Sequence, residues 1–461
     1  VAATGSFAID CQTAIAQDDD GAREVSMKKL VAAALALLAG LAPPTRGGEA
    51  RERWERQCQI RRDKFDLVLP EAMRESGIDL WLVQVKEGHL EPLYDDLGRG
   101  YATGIGYYLF SDRGGERVER LALGIDGYLL EACGVYDAIL GAFDLRKLVA
   151  ERDPKRIGVN TSEQIGAADG LSHAGHRQLV QALGEPYAAR LVSAEKLVSD
   201  FRSRRVASEL VAFGEAAELS RVLAERALSN AVIAPGTTRL EDVAWWMQEE
   251  LLRRGATSAF DMPSVYVTGP AGIEAVSTDR VIRPGDLLVI DWGVCRMNFC
   301  TDVKRIAYVL KPGESAPPAG IRNAFEKALA VREIIRRHLK PGPTAQAMLD
   351  HLNRKVEEAG FEVMQEFNKP RGGPKTEVII GCHSVGNLGH DVGPSIAWFN
   401  PLQLTFPIRP GTLFSIEFFA YTAAPEWGGA KVRIPLEDDA VVTARGVEFP
   451  YPPNQRILLI R

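Results

Sequence analysis

The spacing of apolar and polar residues changes period several times along the chain, and each change predicts an element. Residues 51–75 carry apolar positions at the spacing of one charged amphipathic helix. Short apolar runs predict strands at 79–83 and 121–125, and helical spacing returns around 138–151 and 176–183. Alternation of this kind predicts a smaller α/β domain over 51–204, followed by a second domain over 205–461 that opens with a long helix at 208–232. The basic stretch Arg202-Ser203-Arg204-Arg205 marks the boundary, either as a solvated face or as an interdomain strip of ion pairs.

The second domain contains two internal repeats. Arg283-Pro284-Gly285-Asp286-Leu287-Leu288-Val289-Ile290-Asp291 is nearly copied by Arg409-Pro410-Gly411-Thr412-Leu413-Phe414-Ser415-Ile416-Glu417. Pro-Gly makes a turn and the apolar run a buried strand, which places Asp291 and Glu417 at equivalent points of two strands. Ahead of each strand, Pro235-Gly236-Thr237-Thr238 and Pro341-Gly342-Pro343-Thr344 open helices of similar length that end at Gly255 and Gly360, the first with a Thr238/Glu241 capping box. Two helix-plus-strand units facing each other follow from this order. A carboxylate on a core strand is costly without a partner, so a cation between the two strands is expected.

Composition narrows the function. Apolar residues make up 46% of the chain, and charges of both signs are mixed, with a formal net charge of -6. This leaves no clustered basic face, and no nucleic-acid partner is expected. Met27-Lys28-Lys29 followed by the apolar residues 30–41 and a small-residue stretch has the layout of a secretory signal. Residues 1–50 then form an upstream extension plus signal peptide, cleaved after Ala50, and the expected location is periplasmic or secreted. Beyond this leader no apolar run approaches membrane-span length. Six cysteines are too few for a disulfide framework: Cys295 and Cys300 flank one turn and could pair, while Cys11, Cys58 and Cys133 show no partner, leaving buried thiols as the alternative. His173 and His176 lack neighbouring acids or thiols and read as surface or capping residues.

The remaining chemistry gathers in the second domain. A turn at Arg296-Met297 would set Asp291 opposite Asp302 on one face of a strand pair. Two like charges so placed require a cation. His383 and His390 lie in a glycine-rich segment, 381–393, and Glu437 precedes another apolar run. Four carboxylates and at least one imidazole suit Mn(II) first, with Co(II), Zn(II) or Fe(II) as alternatives, and suffice to bridge two ions.

The order Asp291, Asp302, His383, Glu417, Glu437 resembles that of the pita-bread metallopeptidases, a group that includes methionine aminopeptidase, aminopeptidase P, prolidase and creatinase. The likeness covers 205–461, and a preceding α/β domain resembles the two-domain aminopeptidase P branch. It implies an α+β catalytic domain with a pseudo-twofold internal repeat, two divalent ions, a small peptide or amide substrate and a homodimer. By position it makes Asp291, Asp302, His383, Glu417 and Glu437 the metal ligands, His390 the group on the substrate carbonyl, and Glu417 the proton shuttle. The sequence departs from the family at Glu274, where a substrate-binding His is usual, at Phe418-Phe419, where Pro-Gly is common, and at Arg433, two residues upstream of the usual Arg. Glu274 in a substrate-binding role would favour a cationic group beside the scissile bond. The expected activity is Xaa-Pro aminopeptidase-like or dipeptidase-like hydrolysis; a creatinase-like C–N hydrolase or lyase, or a non-catalytic binding protein, are the alternatives.

Overall fold

Leu80–Lys86 is buried along nearly its whole length, and it lies at the centre of a six-stranded sheet. In this computed structural model, which describes residues 48–461, the sheet order is Ala138–Leu140, Glu119–Leu123, Ile105–Ser111, Leu80–Lys86, Ile157–Val159, Leu191–Ser193. The signal layout at 27–41 and Cys11 lie outside the described residues. The helix expected over 51–75 is two helices, Glu49–Leu67 and Leu69–Ser76; the second carries Pro70 in its first turn, where the missing N–H is tolerated. Residues 138–140 pair as an edge strand rather than starting a helix, and the helix there, Leu145–Arg152, begins where the Asp144 carboxylate accepts from Lys147 N–H at 3.0 Å. Glu55–Arg461 form one compact unit, and no helix among the described residues is long and apolar enough to cross a membrane.

Glu91 is buried with one carboxylate oxygen unpartnered, while the other accepts at 2.9 Å from Nδ2 of Asn160, the residue that follows the strand Ile157–Val159. Burial pushes its carboxyl up to about 7, against the opposing pull of the Asn160 and Leu93 donors. Between the ordinary value, near 4.5, and 7 the folded chain therefore holds a proton that the unfolded chain releases, and stability falls as pH rises through this window. Glu91→Gln is expected to match wild type at pH 4 and exceed it by on the order of 3 kcal/mol at pH 8, read by urea denaturation at both pH values. Equal slopes of stability against pH in the two proteins would refute this.

In the second half, Ala207–Ala227 and Leu240–Arg253 share a core with Ser264–Gly269 and Leu287–Trp292, while Ala319–His338 and Ala345–Glu358 share one with Phe418–Ala423 and Lys431–Leu436. The two helices expected after Pro-Gly turns are both 14 residues long. Thr344 caps the later one, its hydroxyl accepting from Ala347 N–H. The earlier one lacks the Thr238/Glu241 capping box: Asp242 accepts from the N-cap Arg239 N–H at 2.8 Å, and Thr238 instead accepts from Ala234 N–H. The long helix predicted at 208–232 ends at Ala227.

Strands in this half break where they pass from one sheet to the next. Leu287–Trp292 continues as Val294–Arg296, Phe299–Cys300 as Val303–Val309, Glu377–Ile380 as His383–Ser384, Leu413–Ser415 as Phe418–Ala423, and Lys431–Leu436 as Asp439–Thr443. Gly293 occupies the first break because the Thr301 carbonyl lies 1.8 Å from where a Cβ would stand. The hairpin turns at Met297-Asn298, both at positive φ, one residue later than expected. That shift moves the pairing by two: Asp291 lies opposite Lys304, not opposite Asp302, although Asp302 and Lys304 keep the same strand face. Cys295 and Cys300 are disulfide-bonded across the hairpin, and Cys58 is bonded to Cys133, a partner 75 residues away that local spacing did not reveal; Cys382 is free and buried.

Candidate metal centre

Asp302, His383, Glu417 and Glu437 each stand at one of these strand breaks, and Asp291 lies two residues before Gly293. An interrupted ladder leaves room for their side chains to converge in the interior. Ligand atoms of three sets lie within 4.8 Å of one another: Asp302, His383 and His390; His383, Glu417 and Glu437; and Asp291, Asp302 and Glu437. All five residues expected as ligands, together with His390, are thus brought together.

The imidazole of His383 is oriented for ligation. Its Nδ1 lies 3.1 Å from the Ser384 carbonyl and donates to it, which leaves Nε2 free, 3.3 Å from Glu437 Oε1 and 3.7 Å from Asp302 Oδ2. His383 Nε2 and Asp302 Oδ1 are buried without a hydrogen-bond partner. Two such orphaned acceptors facing one space are what a divalent ion would satisfy, so the residues fit a metal. Burial and the adjacent Glu437 hold the Asp302 carboxyl well above the usual carboxylate range. Burial also opposes ionisation of Glu437, but Lys304 and His383 outweigh it and hold its carboxyl below that range. Burial works against a proton on His383, yet the surrounding carboxylates raise its affinity for one.

His390 lies on the rim, its ring 4.7 Å from that of His383 and perpendicular to it, with Nε2 3.3 Å from Asp302 Oδ2 and most of the side chain exposed. The cavity it borders, about 560 Å³, is walled by Phe260, Phe367, Phe399 and Phe419, with Asn400 and Gln403 on one side. Glu274 does not reach it: the residue is exposed on the edge strand Gly272–Val276 and is not among the cavity's lining residues. The cationic preference inferred from it loses its basis.

Two residues that contact the candidate site escaped the sequence reading. Lys304 extends its ammonium among the carboxylates, 3.1 Å from Asp291 and 2.7 Å from Glu417, and pairs closely with Glu437. Its signal was the two-residue step from Asp302, which places both on one strand face. Arg205 is the other. It lies buried beneath the segment joining the two histidines, bonded to Asp391 at 2.7 Å, Asn387 at 2.6 Å and Glu209 at 3.0 Å. Gly386 makes room for it, since a Cβ there would stand 2.0 Å from Arg205 Nη2. The basic stretch is therefore an ion-paired strip: Arg202 pairs with Asp96 at 2.6 Å, and Arg204 with Glu75 at 2.7 Å.

Residues 212–444 match the model of metallopeptidase family M24, about half of the chain. The chain belongs to that family. M24 enzymes use pairs of divalent ions, and acidic and imidazole donors for them are present here. The chain is 24% identical over 277 residues to the uncharacterized peptidase YqhT of Bacillus subtilis, covering 59% of this chain and 69% of that one. It is 26% identical over 263 residues to the Xaa-Pro dipeptidase of Pyrococcus furiosus, covering 55% of this chain and 64% of that one, slightly under two thirds of its length. The fold is similar to that of the X-Pro aminopeptidase from Thermotoga maritima, with a TM-score of 0.61, 20% identity, and coverage of 84% of this chain and 99% of that chain. It is also similar to that of the Xaa-Pro dipeptidase from Bacillus anthracis, with a TM-score of 0.60, 20% identity, and coverage of 87% and 99%. These M24 neighbours bear out the α/β plus pita-bread architecture expected from the ligand order.

Proposed function

We propose that the protein is an exported metal-dependent peptidase that cleaves small Xaa-Pro substrates, as an aminopeptidase or dipeptidase. The observation that carries this reading is the paired orphan acceptors, Asp302 Oδ1 and His383 Nε2, opening onto an aromatic cavity beside His390. Asp291, Asp302, His383, Glu417 and Glu437 are the residues assigned to hold divalent metal, with Mn(II) first on the oxygen-rich donor set and Co(II), Zn(II) or Fe(II) as alternatives. Bound there, the metal supplies Lewis acidity and lowers the pKa of the attacking water.

The chain's own groups do the rest. His390, exposed at the rim, donates from Nε2 to the scissile carbonyl oxygen and stabilises the charge that develops on it. Glu417 receives the proton of the attacking water and passes it to the leaving nitrogen. Phe367 meets Phe419 edge-on at 5.5 Å and Phe399 at 5.4 Å, forming a wall suited to a proline ring or another apolar residue and excluding water around it. Division into domains at 204/205 is part of the same reading, supported by separate sheets on either side, and a homodimer is carried over from the two-domain resemblance. Export is supported by the Lys28-Lys29 leader and by two disulfides, bonds that persist in oxidising compartments.

Hydrolysis of neutral Xaa-Pro dipeptides and tripeptides should be abolished by chelation and restored by Mn(II). His390→Ala should lower kcat about 10²-fold with metal content unchanged. Full activity of the chelated protein, or no cleavage by the Mn(II)-loaded protein of any peptide in a library, would sink the proposal.

A further inference from the structure

Lys304 is buried, and its ammonium is enclosed by three of the carboxylates assigned to metal. Its position is set by the fold. The backbone lies in register opposite Asp291, and its N–H donates to the Glu437 carbonyl at 3.1 Å. The Phe419 ring lies 5.7 Å from Nζ, and Arg433 packs on the same ring at 4.2 Å. Phe419, one of the positions at which the sequence departs from the family, therefore adjoins this lysine, and Arg433, another, packs on that ring.

We propose that the Lys304 ammonium replaces one of the family's two divalent ions, so that the centre takes a single ion, held by Asp302, His383 and Glu437. This rests on the metal-dependent reading above and narrows its ligand set, with Asp291 and Glu417 holding the ammonium in place of a second ion. The two oxygens of Glu437 divide the centre: Oε2 pairs with Lys304, while Oε1 lies 3.3 Å from His383 Nε2 and accepts from Ser415 Oγ at 2.6 Å. On the lysine side, Asp291, Glu417 and Glu437 already share a cation. On the other side, Asp302 Oδ1 and His383 Nε2 have none, and His390 Nε2 lies within reach.

Formal charge agrees with this division. Four carboxylates with one ammonium and one divalent ion carry a single net negative charge, the same as four carboxylates with two divalent ions and a hydroxide. A second divalent ion added beside Lys304 would share Asp291 and Glu437 with the ammonium at contact distance, and the like charges would repel. Lys304 therefore makes the Asp291 half of the centre independent of metal.

The test is metal stoichiometry, read without turnover. Wild-type protein saturated with Mn(II) and desalted should retain one ion per chain by elemental analysis, with the electron paramagnetic resonance spectrum of an isolated Mn(II). Lys304→Ala should retain two, with a spin-coupled spectrum. Two ions and a coupled spectrum in wild type would overturn the proposal while leaving the metallopeptidase reading intact, as would a folded Lys304→Ala that still holds one. No ion in either protein, with no rise in Tm on adding Mn(II), would overturn both. Because the wild-type count decides by itself, the proposal remains testable if Lys304→Ala does not fold.

Discussion

Asp302→Asn is expected to abolish metal retention and lower kcat/KM by about 10³-fold, the equivalent of roughly 4 kcal/mol of transition-state stabilisation. Asp302 is buried, with Oδ1 unpartnered and Oδ2 facing both His383 at 3.7 Å and His390 at 3.3 Å. Among the described residues, no other carboxylate pairs with both imidazoles. Its backbone N–H donates to Asp439 at 3.3 Å, a contact the substitution preserves, so the strand should hold its place. In the absence of metal the substitution puts a neutral amide where burial and Glu437 already resist ionisation of the carboxyl. Metal-free Asp302→Asn should therefore melt at a higher temperature than metal-free wild type, while failing to gain stability when Mn(II) is added. Elemental analysis and thermal melts with and without Mn(II) read both effects. A variant that still binds Mn(II) with a normal rise in Tm would remove Asp302 from the ligand set.

Arg205→Ala is expected to destabilise the fold by about 3–5 kcal/mol, the range for breaking a buried ion pair by removing one partner. Both Arg205 and Asp391 are almost fully buried, and the guanidinium also bonds Asn387 and Glu209. Its loss leaves Asp391 without its paired cation beneath the segment that carries His383 and His390, while Glu209 keeps Lys64 at 3.1 Å. Asp391 also accepts from Asn387 N–H at 2.7 Å, which fixes the turn between the histidines, so activity should fall further than the folded fraction alone explains. Arg205→Lys should recover only part of the loss, since a single ammonium cannot reproduce three separate guanidinium bonds. Urea denaturation with kinetics on the folded fraction checks this, and a change below about 1 kcal/mol would show that the network is not coupled to the site.

Much of this architecture was legible because it depends on local pattern. Pro-Gly turns ahead of apolar runs located the paired helices and strands, and the order of acids and histidines after them picked out the candidate ligands that the fold brings together. The less legible elements were those where a neighbour overrides the local signal. Residues 138–140 pair with Glu119–Leu123 despite helical spacing, and the 51–75 helix divides at the turn containing Pro70. Glu274 aligned by counting residues, but an edge strand carries it to the surface.

The sequence by itself determined the fold class, the internal repeat and the five candidate ligands, because periodicity, turn residues and residue order are properties of the chain before it folds. Only the tertiary structure decided what faces those ligands. A turn at Met297-Asn298 rather than one residue earlier set Lys304 opposite Asp291, and packing joined Cys58 to Cys133 and Arg205 to Asp391 across long separations. Register and long-range pairing follow from how strands and helices bury their apolar faces against one another, and a difference of one residue in a turn is enough to place a cation where carboxylates alone were expected.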